Sequence, residues 1–432
     1  MLRDAFLPAS LSRSRRPPLR RVERPVRVLA ARWTPDSLAH AVSALSAGAA
    51  ALREIPLEDL LAAWGDTVAT FLRPGSLERR ALDPPLARLC GLSRDGLKAG
   101  LEAVLGGVRR EPASVLAARA PEPAMGETRP VLAILASNLP GLAVQPLLPA
   151  LILRRPVLLK SPSAEPLFAP SFLAALARRE PRLAGAVAAA TWQGGDAEME
   201  APVLAAVGNV LAYGERETLE DLERRAPGKV IGYGPKTSIA VIGAEVDPHE
   251  AAEDLARDVA LFDQRGCLSV VAVYTAGDAE ALVERLAGAL LDLARRWPPG
   301  PAVRAVSAAV QHVRLEAEMR ELRYSFLPLR EGTVIVESRP ELQPSPGLRT
   351  VRVHPLEDLS LLPAILQPWR GRLQGAALAG KDAWRLEPAL AELGISRCAA
   401  PGELQSPDAT WHNGGINPLE ALATSRPSPA RR

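Results

Sequence analysis

The residues best suited to covalent chemistry lie in one short turn, Asp263-Gln264-Arg265-Gly266-Cys267. The hydrophobic pattern predicts a helix over 249–262 before this turn and a strand over 268–274 after it. A cysteine between two such elements has a free backbone N–H and an accessible sulfur, and Arg265 offers the positive neighbour that a thiolate needs. The residues alone leave the alternative open that Cys267 is a small buried apolar side chain, because free cysteines are usually buried.

Two polar residues follow the first strands of a predicted sheet. Asn138, in Ser137-Asn138-Leu139-Pro140-Gly141, follows a predicted strand at 131–136, and Lys160 ends the next one at 156–160. Ligands of open α/β sheets bind beyond the carboxyl ends of the strands. Asn138 could therefore donate an amide N–H to an oxyanion, and Lys160 could contact a phosphate or ribose. The alternatives are a turn-forming Asn-x-Pro-Gly and a solvated edge charge.

Glycine turns follow later strands. Gly194 and Gly195 lie in Trp192-Gln193-Gly194-Gly195-Asp196, and Gly214 lies in Tyr213-Gly214-Glu215. Such turns allow a cofactor to approach the backbone closely, although neither forms the Gly-x-Gly-x-x-Gly fingerprint. The sequence also has no Gly-x-Ser-x-Gly nucleophile elbow and no Walker phosphate loop.

The elements that must position these residues are read from hydrophobic spacing. Residues 35–120 have helical periodicity, with helices over 57–71 and 92–108 and Ser93 as an N-cap. From residue 130, helical stretches such as 169–178 and 199–206 alternate with short apolar runs at 131–136, 156–160, 186–192, 207–213, 229–232 and 238–242. This rhythm predicts an α/β fold with a mostly parallel sheet. A second α/β block follows, with a helix over 279–297 and strands at 333–336, 350–353 and 375–379.

One apolar segment, 131–153, is long enough to cross a bilayer. It contains Pro140, Pro146 and Pro149, which a lipid-facing helix does not accommodate. We therefore expect a buried strand, a sharp loop and a short helix.

Composition excludes several function classes. The chain has 432 residues and a net charge of +3, with many of its arginines in the first thirty residues, so the body is nearly neutral and no nucleic-acid partner is expected. Cys90, Cys267 and Cys398 are too few and too scattered for a disulfide framework, no Cys/His spacing indicates a metal site, and a cytoplasmic location is expected. The Arg-rich segment 1–35 is predicted to be disordered, with peripheral membrane contact or targeting as the alternatives.

The order of the motifs resembles the acyl-CoA reductases of the LuxC type, the fatty-acid reductase subunit of bacterial bioluminescence, over residues 55–423. These enzymes belong to the aldehyde dehydrogenase superfamily. Asn138 resembles the family's oxyanion asparagine, and Asp263–Cys267 resembles its Gln-x-x-Cys nucleophile turn. Lys160-Ser161-Pro162-Ser163-Ala164-Glu165-Pro166 resembles the family's Lys-Pro-x-Glu-x-x-Pro stretch, which holds the adenosine ribose, and Leu211-Ala212-Tyr213-Gly214-Glu215 resembles its Phe-x-Gly-Ser turn beneath the pyrophosphate and nicotinamide. Ile231-Gly232-Tyr233-Gly234-Pro235-Lys236 resembles its Glu-Leu-Gly-Gly-Lys motif, and Trp411-His412-Asn413-Gly414-Gly415 resembles the C-terminal Trp-x-His-[Asp/Asn]-Gly of the LuxC branch.

The resemblance implies an aldehyde-dehydrogenase-like α/β fold with two doubly wound parallel-sheet domains and a helical N-terminal segment. The expected divisions are a tail at 1–35, a helical segment plus dinucleotide-binding domain at 36–237, a catalytic domain at 238–400 and a closing loop and tail at 401–432. Cys267 and Asn138 are the implied catalytic residues, with Gln264 and His412 as substrate-site candidates. The implied cofactor-binding residues are Lys160, Ser163, Gly194, Gly195, Tyr213, Gly214, Gly234 and Lys236. A homo-oligomer is also expected.

Two departures from the family pattern refine the expected activity. Gly232 stands where aldehyde-oxidising relatives have the glutamate that activates water, so a thioacyl enzyme would wait for hydride or a thiol. Ser163 stands where a carboxylate would repel a 2′-phosphate, which favours NADPH over NADH, although Glu165 lies nearby. The expected activity is NADPH-dependent reduction of an acyl-CoA to an aldehyde. The alternatives are an acyl-protein thioester or acyl phosphate donor, and a catalytically silent homologue that serves as a binding or scaffold protein.

Overall fold

The computed structural model describes residues 1–23, 25–122, 127–301, 303–328 and 330–423. The strands of these residues are, in chain order, β1 Leu2–Arg3, β2 Leu19–Val22, β3 Val28–Ala31, β4 Val131–Ile134, β5 Val157–Lys160, β6 Val187–Ala190, β7 Asn209–Tyr213, β8 Val230–Tyr233, β9 Thr237–Ile242, β10 Val270–Thr275, β11 Tyr324–Phe326, β12 Thr333–Val336, β13 Thr350–Pro355, β14 Leu373–Ala379 and β15 Arg397–Ala399. They form three sheets, in the orders β1-β3-β2, β6-β5-β4-β7-β8 and β11-β12-β13-β10-β9-β14-β15.

The α-helices of the same residues cover the faces of these sheets. They are α1 Pro35–Ala47, α2 Ala49–Arg53, α3 Leu57–Leu72, α4 Leu77–Cys90, α5 Arg94–Gly106, α6 Arg110–Ala118, α7 Val144–Ile152, α8 Phe168–Arg179, α9 Ala197–Ala206, α10 Arg216–Arg225, α11 Pro248–Ala260, α12 Ala279–Arg296, α13 Arg304–Met319, α14 Leu362–Leu366, α15 Lys381–Trp384, α16 Glu387–Glu392 and α17 Pro418–Ala423.

The prediction of a disordered N-terminal tail was wrong for the described residues. β3 pairs with β1 in parallel and with β2 in antiparallel orientation. The Asp4 carboxylate accepts a hydrogen bond of 2.8 Å from the backbone N–H of Ala31, and the N–H of Phe6 donates to the carbonyl of Ala189 on β6. Leu11 is buried as well. The apolar residues between the arginines therefore anchor this segment to the edge of the second sheet, although its composition is that of a disordered chain.

The helical segment forms as the periodicity predicts. Ser93 is the N-cap of α5 and accepts a hydrogen bond from the N–H of Gly96. α3 and α5 bury one face each in a core shared with α8, and Trp64 on α3 is completely buried. The indole N–H of Trp64 donates to the carbonyl of Val108, at 2.7 Å, just beyond the end of α5. These helices therefore form a fixed wall beside the second sheet.

The five-stranded sheet is parallel throughout and confirms the predicted βαβ series. Its strands read as short apolar runs because helices cover both of its faces. From β4, the chain winds outward through β5 to β6 and then returns to add β7 on the other side. The carboxyl ends of β4 and β7 thus flank a topological switch point, where ligands of such sheets bind.

The seven-stranded sheet is parallel except for its edge strand β11. β10 lies between β13 and β9, and β14 lies on the other side of β9. The chain passes from the first large sheet to the second through Gly234, Pro235 and Lys236, which join β8 directly to β9. The fold class is therefore the predicted α/β class with two large sheets, and the exact domain boundaries stay a prediction.

The apolar segment 131–153 forms β4, a loop and α7, as expected. Among the described residues, no helix is both long and apolar enough to span a bilayer.

Candidate active site

The two large sheets meet at a cavity of about 900 Å³. The five-stranded sheet contributes the carboxyl ends of β4, β5, β7 and β8, where Asn138, Lys160 and Tyr213 lie. The seven-stranded sheet contributes the amino ends of β9, β10 and β14, where Lys236 and Cys267 lie. Residues from five of the predicted motifs, which together span more than 120 positions of the chain, therefore line one cavity.

The turn that carries Cys267 has an unusual backbone. After α11, Phe262, Asp263 and Gln264 have φ values of 55°, 51° and 63°, in the left-handed region that non-glycine residues rarely adopt. Such a conformation costs on the order of 1–3 kcal/mol for each residue and persists only where surrounding contacts impose it. The turn is therefore held by its contacts rather than by local preference.

Asp263 supplies part of that restraint. Its carboxylate accepts hydrogen bonds from the backbone N–H of Gly300 and from the guanidinium of Arg349, both at 2.9 Å. Asp263 and Arg349 are 5% and 1% exposed, so the ion pair is almost completely shielded from solvent. Arg349 itself has a φ of 57° and belongs to a second left-handed segment, which begins at Gly347. The ion pair thus fastens two strained segments together.

Gln264 supplies a further restraint, which differs from its predicted role at the substrate. Its side-chain amide donates to the carbonyls of Val270 and Thr350 and accepts from the N–H of Thr350, at distances of 2.7, 2.9 and 2.7 Å. These bonds tie the turn to β10 and β13. Gln264 borders the cavity, but its amide is occupied by the backbone, and its contribution to the site is to fix Cys267.

Cys267 is partly exposed at the cavity, three residues before the start of β10. Burial raises the pKa of its thiol to about 11, while its own N–H, the Lys236 ammonium and the N–H of Leu268 act in the opposite direction. The expectation that Arg265 is the positive neighbour was wrong. The Arg265 guanidinium points away and donates to the carbonyls of Phe262, Cys90 and Gly91.

Asn138 reaches Cys267 from the other sheet. Its amide nitrogen donates to the carbonyl of Arg265 at 3.0 Å, which fixes the asparagine against the cysteine turn. An amide has two N–H bonds, and this contact uses one of them. Asn138 and Cys267 both line the cavity, so the geometry accommodates the predicted oxyanion role.

The predicted ribose site lies at the end of β5. Lys160 is buried, with its ammonium 5.3 Å from the centre of the Trp192 ring. Burial lowers its pKa, against the opposing effect of the Glu200 carboxylate. A Cβ atom on Gly194 would lie 3.7 Å from the Lys160 ammonium, so glycine keeps this approach open. Gly195 is exposed and does not border the cavity.

Ser163 and Glu165 have different environments although they are two residues apart. Ser163 is exposed and lines the cavity. Glu165 is buried, and its carboxylate accepts hydrogen bonds from the N–H groups of Leu167 and Phe168, both at 2.8 Å, at the start of α8. Burial raises the pKa of Glu165 to about 7. This carboxylate caps a helix and does not face the cavity.

A stacked tyrosine pair forms the base of the site. The rings of Tyr213 and Tyr233, at the ends of β7 and β8, lie 4.6 Å apart and nearly parallel. Gly214 and Gly234, which follow the two tyrosines, also line the cavity. Glu215 comes next, exposed at the N-terminus of α10, and its side chain makes no capping hydrogen bond. A carboxylate therefore borders the part of the cavity that the sequence assigns to the cofactor pyrophosphate.

The C-terminal loop closes the cavity through residues on either side of His412. Trp411, Asn413 and Gly414 line it, whereas His412 is exposed and does not. The side chain of Asn413 accepts a hydrogen bond of 2.8 Å from the amide of Gln374 on β14. The suggested substrate contact of His412 is therefore not present in this arrangement.

Part of the cavity lining is apolar, and we call this part the apolar arm. It comprises residues on or near β4, α5, α6, α7 and the chain entering α17: Val104, Val108, Leu116, Leu135, Leu139, Leu142, Leu148 and Ile416. The N–H of Ala409 donates to the carbonyl of Gly107, which joins the C-terminal loop to this helical wall. Apolar walls with a few polar groups at one end are typical of sites for amphipathic small molecules.

The sequence model of one family, described as acyl-CoA reductase (LuxC), matches residues 85–425. The chain belongs to the LuxC family. A long-chain acyl-protein thioester reductase of Vibrio harveyi is 24% identical over 233 residues, which cover 52% of this chain and 49% of that protein. Its counterpart in Photorhabdus luminescens is 26% identical over 163 residues, 35% of this chain and 34% of the relative. The chain thus spans about half or less of the curated relatives it matches.

Solved structures support the same fold at lower identity. The NADP-dependent glyceraldehyde-3-phosphate dehydrogenase of Bacillus halodurans, complexed with NADP, has a TM-score of 0.72 at 14% identity and covers 99% of this chain and 98% of its own. Aldehyde dehydrogenase 21 of Physcomitrella patens has a TM-score of 0.71 at 14% identity, covering 97% and 94%. This LuxC-family chain therefore has the aldehyde dehydrogenase fold.

Several residues of the LuxC-family site were missed by the sequence motifs. Ser238 donates to the carbonyl of Cys267 at 2.7 Å, and the hydroxyl of Ser269 accepts from the N–H of Gly266 at 3.1 Å. The Ser269 hydroxyl in turn lies 3.2 Å from the side-chain oxygen of Gln405. Lone serines and glutamines carry no spacing signal, so only the fold brings them to the cysteine turn. The fixed turn is thus a product of several distant segments.

Proposed function

We propose that this LuxC-family protein reduces an acyl thioester to an aldehyde with NADPH, through an acyl group carried by Cys267. The observation that carries the proposal is the position of Cys267. It lies on a restrained turn and lines one cavity together with the oxyanion candidate Asn138 and the predicted nucleotide residues at the edge of the five-stranded sheet. A nucleophile that shares a cavity with oxyanion donors and a site for an electron donor fits acyl transfer followed by reduction.

The residues divide the chemistry as follows. The Cys267 thiolate attacks the thioester carbonyl, and the donor leaves as a thiolate, which takes a proton from solvent, as the thioacyl enzyme forms. The free N–H of Asn138 and the backbone N–H of Cys267 hold the oxyanion, and each such donor is worth about 3 kcal/mol. When bound, NADPH supplies the hydride that reduces the thioester. Cleavage of the C–S bond then releases the aldehyde and returns Cys267 to its thiolate form.

The missing water-activating base supports reduction rather than hydrolysis. Position 232 is a glycine, and a Cβ atom there would lie 3.2 Å from a methyl group of Leu219 on α10. In the described part of the chain, no Asp or Glu contributes to the charge environment of Cys267. Without the carboxylate that aldehyde-oxidising relatives have at position 232, the thioacyl enzyme lacks their route to the acid.

The residues at the nucleotide edge fit NADPH. Lys160 and the glycine at 194 leave room for a ribose, and Ser163 adds no charge that would repel a 2′-phosphate. Glu165, the carboxylate that had argued for NADH, is buried in the cap of α8. The cofactor preference therefore rests on Ser163.

The apolar arm supports a fatty acyl substrate, because long hydrocarbon chains gain about 0.8 kcal/mol for each buried CH₂ group. The donor is either acyl-CoA or an acyl-protein thioester. The family description favours the first, and the names of the curated relatives favour the second.

A donor panel tests the proposal. Purified protein is incubated with NADPH and with acyl-CoA esters, an acylated carrier protein or acyl phosphates of matched chain length, and aldehyde is measured. Wild-type protein and Cys398→Ala, a change at the edge strand β15, are expected to form aldehyde, and Cys267→Ala is not. Equal turnover in Cys267→Ala would remove the proposed nucleophile.

A further inference from the structure

A reactive thiol needs a positive charge near it, and Lys236 is positioned to provide one. The predicted cofactor contact of Lys236 does not account for its position beside the cysteine turn. It lies in the three-residue connection between the two large sheets, one residue before β9. It lines the same cavity as Cys267. The adjoining strand holds the cysteine turn directly, because the Ser238 hydroxyl donates to the Cys267 carbonyl at 2.7 Å. The backbone therefore keeps the two residues in a fixed relation.

The ammonium group of Lys236 is weakly satisfied by the protein. Its hydrogen bond in the structure is a long one, 3.4 Å, to the carbonyl of Leu373. Within the described ranges it forms no ion pair with a carboxylate. An ammonium group has three donors, so most of its bonding capacity faces the cavity. A half-buried cation with so few protein partners is further stabilised by an anion beside it.

The C-terminal loop limits where the ammonium can go. A Cβ atom on Gly414 would lie 3.6 Å from the Lys236 Cε atom and 3.9 Å from its Nζ atom. Gly414 has a φ of 61° and is held beside Asn413, which accepts the bond from Gln374. The side chain is therefore enclosed between this loop and the start of β14, and it cannot swing freely into solvent.

Among the described residues, the other groups around Cys267 do not supply a full positive charge. Arg265 is occupied by three backbone carbonyls on the far side of the turn. Tyr213 is the other titratable group that senses the Cys267 charge, and its phenol is neutral because burial raises its pKa well above the usual value. The backbone N–H groups of Cys267 and Leu268 provide partial charges. Lys236 is thus the one full positive charge that acts on the sulfur among the residues described.

We propose that Lys236 is a positioning residue that acts through Cys267, holding its thiolate form by charge at the junction of the two sheets. The inference deepens the proposed function and rests on it for its biological meaning. Forming the thiolate releases the thiol proton to solvent, and Lys236 keeps its own proton. Once the sulfur is acylated, the same ammonium faces a neutral thioester. The charge of Lys236 therefore stabilises the free thiolate more than the acylated cysteine.

Alkylation of Cys267 tests this without acyl donor or nucleotide, so the result does not depend on reductase activity. The rate of iodoacetamide modification at Cys267 is measured across pH by peptide mass in wild type, K236M, K236Q and K236R. Removing the charge is expected to slow alkylation about tenfold at each pH below the midpoint, a shift of about one pH unit. K236R should restore the rate to within about threefold. Two charge-removing variants are used so that a folded one is available.

Lys381→Met is the matched control. It removes the same charge in the same domain, but Lys381 is exposed beyond the opposite end of β14 and should leave the profile unchanged. A K236M or K236Q profile that coincides with wild type would overturn the proposal. So would a loss of rate that K236R does not rescue, which indicates a structural role. A raised dissociation constant for NADPH together with an unchanged pH profile of alkylation would assign Lys236 to cofactor binding instead. That result would leave the proposed reductase function intact.

Discussion

Replacing Asp263 with asparagine should release the strained turn that carries Cys267. The substitution keeps the size of the side chain but removes the charge that faces Arg349, which is 1% exposed. Breaking a buried ion pair on one side costs about 3–5 kcal/mol, because the remaining charge stays buried without its partner. The side-chain NH₂ of the asparagine would face either the backbone N–H of Gly300 or, after a flip of the amide, the guanidinium of Arg349. In both orientations one of these two donors loses its hydrogen-bond acceptor.

The expected loss of unfolding free energy is therefore about 3 kcal/mol or more. The strained backbone at three consecutive positions adds a second consequence, because the turn relaxes once its clamp is removed. We expect the acylation rate of Cys267 to fall further than the nucleotide affinity, since the nucleotide residues lie on the other sheet. Urea denaturation, followed by tryptophan fluorescence, and a single-turnover acylation assay measure the two effects.

Asp292→Asn is the control for this prediction. Asp292 forms an ion pair of 2.6 Å with Arg295 on the surface of α12, with side chains 67% and 71% exposed. Exposed pairs of this kind are worth about 0–1 kcal/mol, so stability should hardly change. If Asp263→Asn were as mild as Asp292→Asn, the buried pair would not be what holds the turn, and the account of the strained segment would be wrong.

Three further predictions concern pH, cofactor affinity and chain length. Burial raises the pKa of Asp258 from 3.8 to about 7, although three backbone N–H groups of the C-terminal loop oppose the shift. The folded state therefore binds this proton more tightly than the unfolded state does. The free energy of unfolding should fall as pH rises from about 4 to 7, by at most about 1.4 kcal/mol per pH unit. Asp258→Asn, which mimics the neutral acid, should flatten that slope in urea titrations, and an unchanged slope would contradict the assignment. Glu215→Ser should tighten NADPH binding about fivefold in fluorescence titrations, because it removes a carboxylate at the N-terminus of α10 that would repel the pyrophosphate. Glu220→Ser, on the same helix, should leave NADPH binding unchanged. Equal effects of the two substitutions would mean that Glu215 does not face the pyrophosphate. Leu116→Trp should lower kcat/KM for a fourteen-carbon donor at least about tenfold relative to a four-carbon donor by narrowing the apolar arm, whereas Val115→Trp, at an exposed position of α6, should leave the ratio unchanged.

Much of the fold could be predicted from local sequence because buried parallel strands read as short apolar runs. The run at 333–336 matches β12, and the helix predicted over 169–178 matches α8 within one residue at each end. The N-terminal strands could not be predicted in this way. Their arginines dominate the composition, and the contacts that order them, such as Phe6 with Ala189, join residues more than 180 positions apart.

The site was predictable in its motif residues and not in its electrostatics. Asn138 and Cys267 were identified by type and order, and the structure brings both to one cavity. Arg265 was predicted to be the positive neighbour of the thiol, and Lys236 was predicted to contact the cofactor. The left-handed backbone at 262–264 turns Arg265 toward Cys90, and the crossover between the sheets brings Lys236 in instead. Such directions depend on tertiary contacts that spacing does not encode.

Glu165 illustrates the same limit for cofactor choice. In sequence it lies two residues from Ser163 and could equally serve as the ribose carboxylate. In the structure it accepts two backbone N–H groups at the start of α8 and is buried. A capping role of this kind is set by where the next helix begins, which the apolar pattern locates only to within a few residues.

The stability of the acyl group on Cys267 tests the central claim most directly. The protein is incubated with a long-chain acyl thioester without nucleotide, and its intact mass and the mass of the Cys267 peptide are followed over time. We predict one acyl adduct per chain at Cys267 that persists in buffer and is discharged to aldehyde when NADPH is added. Absence of the adduct, its appearance on another residue, or its rapid hydrolysis to the acid without NADPH would contradict the account.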